Sequence, residues 1–138
     1  MADESFTGLQ LRSLIKSEGV LELSLAQVAT PPPGPDEVVI RVEASPINPS
    51  DLGLADASAL QAGGTAERPV ITAPVPERFM AAMAARTDQS MPVGNEGAGT
   101  VIAAGSSPEA QGLLGRTVAA LGGAMYAQYK TARAADVM

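Results

Sequence analysis

The chain has 138 residues and a formal net charge of −6 at pH 7, and it contains no cysteine and no histidine. The lack of both residue types excludes disulfides, thiolate nucleophiles, serine–histidine–aspartate triads and zinc sites with nitrogen or sulfur ligands. Nine basic residues are scattered without forming a cluster. We therefore expect no nucleic-acid binding, which depends on clustered lysine and arginine.

The composition indicates a small globular domain with an aliphatic core. Aromatic residues make up only 3% of the chain, and eleven prolines with fourteen glycines predict many turns rather than a helical bundle. No run approaches the roughly 20 apolar residues that span a bilayer. Asp3 and Glu4 stand where a secretory signal needs positive charge. We predict one cytoplasmic domain that binds neither membrane nor nucleic acid.

Strand-like runs follow one another along most of the chain. They cover residues 9–15, 20–28, 37–45, 98–104, 116–121 and 125–131, and several alternate between apolar and polar residues. Residues 16–19 contain a glycine and predict a hairpin connection between the first two strands. Short strands separated by glycine and proline favour an antiparallel barrel or sandwich over alternating strand–helix units.

Two segments interrupt this strand pattern. Residues 53–75 are rich in alanine, glycine and threonine and show little periodicity, so we predict a long loop there. Residues 76–91 predict a helix, because Pro76 suits a first helical turn and Glu77 complements the helix dipole. Phe79 and Met83 would then lie on one face of that helix.

A polar segment, Asn48-Pro49-Ser50-Asp51, follows the third predicted strand. Proline favours extended geometry at the residue before it, and Ser50 or Asp51 can cap a following helical turn. Taken alone, this segment is explained better as a turn than as a catalytic site.

A second polar pair, Asn95-Glu96, lies between glycines in the stretch Pro-Val-Gly-Asn-Glu-Gly-Ala-Gly at residues 92–99. The glycines mark positions that need a positive φ or a close backbone approach. A tight turn alone would explain them, but a carboxylate at the start of a buried strand needs polar partners. We therefore consider Glu96 a lining residue of a cleft or a structural hydrogen-bonding group.

A third segment, Leu-Gly-Gly-Ala-Met-Tyr-Ala-Gln-Tyr at residues 121–129, also carries paired glycines. Neither the dinucleotide-binding pattern nor the phosphate-loop pattern of glycines occurs anywhere in the chain, so we predict no nucleotide site here. Tyr126 is expected to pack its ring and to place its hydroxyl at a rim.

In this order, the three segments resemble the catalytic domain of the medium-chain dehydrogenase/reductase superfamily, and the resemblance runs from about residue 9 to residue 137. In zinc-dependent members the first turn carries a cysteine and the second reads Gly-His-Glu, whereas Asn48 and Asn95 stand at those positions here. The resemblance thus points to the zinc-independent, quinone oxidoreductase-like branch. It implies a GroES-like, partly open antiparallel β-barrel over residues 1–138, with no metal site.

The resemblance also implies a function and a set of residues. In an intact relative, NADPH delivers hydride to a quinone or to a carbon–carbon double bond conjugated to a carbonyl. Asn48, Ser50 and Asn95 are the implied cleft-lining catalytic candidates, and Asp51, Glu96 and Tyr126 are the implied substrate contacts.

Family enzymes also carry a nucleotide-binding domain, and this chain has no sequence pattern for one. We therefore expect a truncated domain that binds no cofactor and is inactive as a reductase on its own, with a second copy or a separate nucleotide-binding domain as its partner. The choice between NADPH and NADH stays open. The alternative is a stand-alone binding or oligomeric assembly module derived from the same domain, since a large exposed apolar face usually acquires a partner.

Overall fold

The computed structural model describes residues 5–48 and 57–138 of the chain, and β-strands dominate this part. The predicted mainly-β fold with short helices is confirmed. The strands are β1 Phe6–Lys16, β2 Val20–Thr30, β3 Glu37–Ala44, β4 Gln61–Gly64, β5 Pro69–Pro74, β6 Met91–Pro92, β7 Glu96–Ala104, β8 Thr117–Leu121 and β9 Tyr129–Arg133. The helices are α1 Glu77–Met80 and α2 Pro108–Leu113, with 3-10 turns at Ala57–Ala59, Ala84–Arg86 and Ala134–Asp136.

Within the described ranges, these strands form two antiparallel sheets. The first has five strands in the order β4-β5-β2-β1-β6, and the second has four in the order β8-β7-β3-β9. Both sheets join residues that are distant in the chain. Leu23 of β2 pairs with Ile71 of β5, and Val39 of β3 pairs with both Ala103 of β7 and Thr131 of β9.

The chain divides into two compact units. The first unit comprises Met1–Gln10, Gln27–Pro46 and Gly94–Met138, and the second comprises Leu11–Ala26 and Ile47–Val93, each as far as these ranges are described. The four-stranded sheet and α2 lie in the first unit. The hairpin β4–β5, helix α1 and strand β6 lie in the second unit.

The core of the first unit is aliphatic, as the composition predicts. It consists of Val38 and Ile40 of β3, Val101 of β7, Val118 and Ala120 of β8, Met125, Ala110 of α2, and Ala134. Val38, Ile40 and Met125 have no measurable solvent exposure. Burying side chains of this size supplies roughly 1.5–3 kcal/mol each, and that makes this cluster the main source of the unit's stability.

Helix α2 closes one side of this core, although the sequence analysis did not predict it. The Ser107 hydroxyl accepts a hydrogen bond from the Ala110 amide at 3.2 Å, and Pro108 occupies the first turn. Both features are common helix starts. The helix buries Ala110 in the cluster and ends before Gly115.

The second unit buries fewer residues. Among its described residues, Ile15, Ala73 and Val75 are the buried apolar side chains. The predicted hairpin between β1 and β2 is present, with Gly19 at φ +83° and its amide donating to the Lys16 carbonyl at 2.9 Å. A positive φ at this position explains why glycine ends the turn.

The predicted loop over residues 53–75 is wrong for the part that the structure describes. Residues 61–74 form the hairpin β4–β5, whose turn is closed by hydrogen bonds between Thr65 and Arg68. The run Val70-Ile71-Thr72 favours a strand, but the surrounding alanine, glycine and proline hid it. Pairing with β2 supplies the ladder hydrogen bonds that the local sequence alone does not specify.

The predicted helix over residues 76–91 is also wrong beyond its first turn. α1 ends at Met80, and a 3-10 turn follows at Ala84–Arg86. Thr87 is extended and bridges to Ile15, while Asp88 has φ +59° and donates its amide to the Ile15 carbonyl at 2.7 Å. This contact with β1 redirects the chain out of the helix, and β6 then adds to the same sheet.

The last predicted strand is displaced by four residues, because β9 begins at Tyr129 rather than at residue 125. Met125 is instead a core side chain in the turn before β9. None of the helices in the described part of the chain has the length and apolar character needed to cross a membrane.

Candidate functional site

The glycine-rich turn at the start of β7 is built by close packing in the first unit. Gly94 has φ +102°, and a Cβ atom at this residue would lie 2.5 Å from the Tyr126 amide nitrogen. A Cβ atom on Gly97 would lie 2.7 Å from the Ser45 hydroxyl and 2.8 Å from the Met125 methyl. The expectation that these glycines mark a positive φ or a close approach is therefore met.

Hydrogen bonds fix this turn against two neighbouring segments. The Ser45 hydroxyl donates to the Met125 carbonyl at 3.0 Å, and the Gly122 amide donates to the Asn95 carbonyl at 2.8 Å. The Tyr126 hydroxyl donates to the Pro46 carbonyl at 2.8 Å. The end of β3, the start of β7 and the segment before β9 are thus held together by backbone and side-chain contacts.

A pocket of about 300 Å³ lies beside this turn, entirely within the first unit. Three of its lining residues form what we call the alanine row: Ala44 of β3, Ala98 of β7 and Ala119 of β8. Ala98 pairs with Ala44 on one side and with Ala119 on the other. One wall of the pocket therefore consists of methyl groups on three adjacent strands.

The remaining lining is apolar with one acidic group. Pro46, Leu121 and Met138 contribute larger apolar side chains, and Leu121 and Met138 are 66% and 79% exposed. Glu96, which pairs with Leu121 across β7 and β8, is the one ionisable side chain among the described lining residues. Its carboxylate accepts hydrogen bonds and cannot donate them.

Other charged groups of the first unit are engaged elsewhere. The Lys130 ammonium donates to the Gly123 carbonyl at 2.7 Å. Glu43 accepts from the Arg41 guanidinium at 3.1 Å and from the Thr100 hydroxyl at 3.0 Å, and these two hydrogen bonds lower the pKa of Glu43. Hydrogen bonds to a carboxylate favour its ionised form.

The structure places the predicted residues of the first unit at or near this pocket. Glu96 lines it, and Tyr126 supports it through the hydrogen bond to Pro46. Asn95 is exposed and immediately precedes Glu96 in the turn. These three predicted residues therefore lie around one turn, and their functional roles stay predictions.

The other predicted residues belong to the second unit or lie outside the described residues. Asn48 belongs to the second unit, where it is half-buried. Ser50 and Asp51 lie outside the described residues. The roles predicted for these residues stay predictions.

Sequence reasoning missed the apolar lining residues Ala98, Ala119, Leu121 and Met138. The alternation along β8 holds a signal for two of them. Val118 and Ala120 are buried in the core, so Ala119 and Leu121 project from the other face of the sheet. Once β8 is predicted, its alternation alone places the apolar side chain of Leu121 on the exposed face of the sheet.

The described residues do not fit a metal ion or a dinucleotide. They contain no group of three acidic side chains that could hold a metal ion. A dinucleotide pyrophosphate needs a parallel strand–helix–strand unit with a helix N-terminus at its end. The strand pairs described here are antiparallel, and the longest described helix has six residues.

Comparisons with known proteins give a match in structure and none in sequence. A scan of protein-family models and a search of curated proteins found no match to the chain. Among solved structures, the chain is similar to a protein of Mesorhizobium loti that is provisionally named an NADPH:quinone reductase. The similarity has a TM-score of 0.55 at 23% sequence identity and covers 100% of this chain.

The chain therefore shares its fold with part of this protein. It spans 37% of the length of the Mesorhizobium loti protein, so only part of that reductase-like structure is matched. Within the first unit, the Gly94–Gly97 turn places polar groups beside a concave apolar surface.

Proposed function

We propose that this chain is the substrate-binding, catalytic-domain part of a zinc-independent, NAD(P)H-dependent oxidoreductase that acts on quinones or conjugated enones. The observation that carries the proposal is the position of Asn95-Glu96 at a 300 Å³ pocket in a fold similar to that of an NADPH:quinone reductase. Zinc independence is supported by the sequence, which has asparagine at residues 48 and 95 and no histidine or cysteine.

The role of the chain in this reaction is to bind and orient the substrate. The apolar lining of the pocket suits a quinone or enone ring, since small-molecule sites are mostly apolar with few polar groups. The Asn95 side chain, exposed next to the pocket, carries an amide that can donate to a substrate carbonyl. We assign the same role to Asn48, with Ser50 beside it, and we assign Asp51 and Tyr126 to weaker substrate contacts.

The nicotinamide nucleotide must be held elsewhere, because the described residues do not fit a dinucleotide site. We propose a separate nucleotide-binding domain as the partner of this chain. A hydride donor bound by that partner would react with a substrate bound in the pocket.

We expect the 138-residue chain alone to bind no NADPH in calorimetric titration and to show no NADPH-dependent reduction of 1,4-naphthoquinone. The physical reason is that the described strand pairs are antiparallel, so no described helix N-terminus stands at the end of a parallel strand–helix–strand unit to bind a pyrophosphate. The control is the quinone titrated without nucleotide, which reports on the pocket separately. Robust NADPH-dependent turnover by the purified chain would contradict the proposal.

A second candidate function is oligomeric assembly through the apolar rim of the pocket. The exposure of Leu121 and Met138 favours it, because large exposed side chains beside a groove are common in interfaces. A discrete dimer in solution that Leu121→Ser converts to a monomer would support this function over the reductase role.

A further inference from the structure

The shape of the pocket restricts which ligands fit. Adjacent strands lie about 4.8 Å apart, so the alanine row extends about 10 Å across β3, β7 and β8. None of its side chains extends beyond a methyl group, so no large side chain projects from this wall to keep a ring away from the strands. A planar aromatic ring system can lie against such a surface, while a branched or bulky ligand loses contact with part of it.

The polarity of the pocket restricts the ligand further. Glu96 supplies the one ionisable side chain among the described lining residues, and its two oxygens together offer about four acceptor positions. Glu96 already has a partner, and a carboxylate can accept more than one hydrogen bond. A ligand hydroxyl can therefore donate to Glu96, whereas a ligand carboxylate is repelled by it.

From these two features we infer that the pocket is a site for a planar aromatic hydroxy compound of about two fused rings. Glu96 accepts a hydrogen bond from the hydroxyl of this ligand, and Ala98 limits the size of the ring system. This inference rests on the proposed function, since it names the ligand form that the same site holds best: the hydroxylated one rather than the quinone. Ala98 lies in the middle of the alanine row, and a larger side chain there would fill the place of the ring.

The test is a binding series with three probes of the same ring size, measured on the full chain without nucleotide. We expect 1-naphthol to bind about fivefold more tightly than 1-methoxynaphthalene, since one hydrogen bond contributes roughly 1 kcal/mol. The anion 1-naphthoate should not bind detectably. Equal affinity for naphthol and its methyl ether, or preferred binding of naphthoate, would overturn the inference.

Two substitutions locate the site. Ala98→Leu should weaken naphthol binding by roughly tenfold or more, because the added side chain occupies the volume of the ring. Its matched control is Ala29→Leu, an exposed strand alanine of the first unit outside the pocket, which should leave binding unchanged. Glu96→Gln should abolish the preference for naphthol over the methyl ether and relax the exclusion of naphthoate.

Circular dichroism of each variant shows whether the fold is kept, and Ala119→Leu on the neighbouring strand provides a second filled pocket should Ala98→Leu fail to fold. If a folded variant with a filled pocket binds naphthol as tightly as the unchanged chain, the naphthol site is not in this pocket. Because no nucleotide and no turnover enter these assays, naphthol binding can succeed where the reductase proposal fails, and the reverse also holds.

Discussion

Replacing Gly94 with alanine is expected to destabilise the chain by about 3 kcal/mol or more. Gly94 has φ +102°, which is strained for any L-residue with a side chain, and the added Cβ would lie 2.5 Å from the Tyr126 amide nitrogen. Since the neighbour is backbone, the strain cannot be relieved by rotating a side chain. Urea titration of the free energy of unfolding measures the effect.

Substitutions at two other glycines separate the strain of a positive φ from the steric clash of the added Cβ atom. Gly115 has φ +80° with no atom within 4 Å of an added Cβ, so Gly115→Ala should cost only the backbone term, about 1–2 kcal/mol. Gly123 has neither a positive φ nor a close neighbour, and Gly123→Ala should change stability by less than about 0.5 kcal/mol. If Gly94→Ala costs no more than Gly115→Ala, the close packing of the turn is contradicted.

Replacing Met125 with alanine is expected to cost about 2–5 kcal/mol. Met125 has no measurable exposure and belongs to the core cluster of the first unit. Its terminal methyl group lies so close to Gly97 that it would contact a Cβ atom added to that residue. Its truncation leaves a cavity directly behind the turn that carries Asn95 and Glu96. Thermal and urea unfolding of the variant measure the loss.

The control for Met125 is Met91, which lies on β6 in the second unit and is 39% exposed. Met91→Ala should cost clearly less, about 1 kcal/mol, because 39% of this residue is already in water, whereas Met125 is fully buried. Comparable losses in the two variants would mean that Met125 does not hold the core of the first unit together.

The strands that were predicted from the sequence are those with a strong local pattern. Runs such as Val38-Val39-Ile40 and Thr100-Val101-Ile102 combine β-branched residues with clear boundaries, and both lie in strands of the four-stranded sheet. Their positions follow from side-chain character alone. The hairpin at Gly19 was equally accessible, because glycine there meets a positive φ.

The elements that were missed depend on partners distant in the chain. β4 has weak local propensity, and alanine, glycine and proline hide the short β-branched run of β5. The two strands join the sheet because β5 pairs with β2. The helix predicted over residues 76–91 ends early because Thr87 and Asp88 contact Ile15 on β1. Local periodicity contains no information about either contact.

The candidate site was predictable only in its polar part. Glycines around Asn95-Glu96 marked the turn, since a positive φ and close packing are properties that glycine reveals in a sequence. The alanine row was not predictable, because single alanines on three strands become one surface only when the register aligns Ala44, Ala98 and Ala119. Alanine is too common in this chain to mark a site by itself.

The most direct test of the account is a titration of 1,4-naphthoquinone into the ¹⁵N-labelled chain, followed by assigned amide chemical shifts. The account predicts saturable shifts concentrated at residues 94–98 and 119–121, which belong to the turn and to the part of β8 that lines the pocket. The same shifts should be unaffected by NADPH. Saturable shifts centred elsewhere in the chain, or no shifts at all up to millimolar quinone, would contradict a substrate site at this pocket.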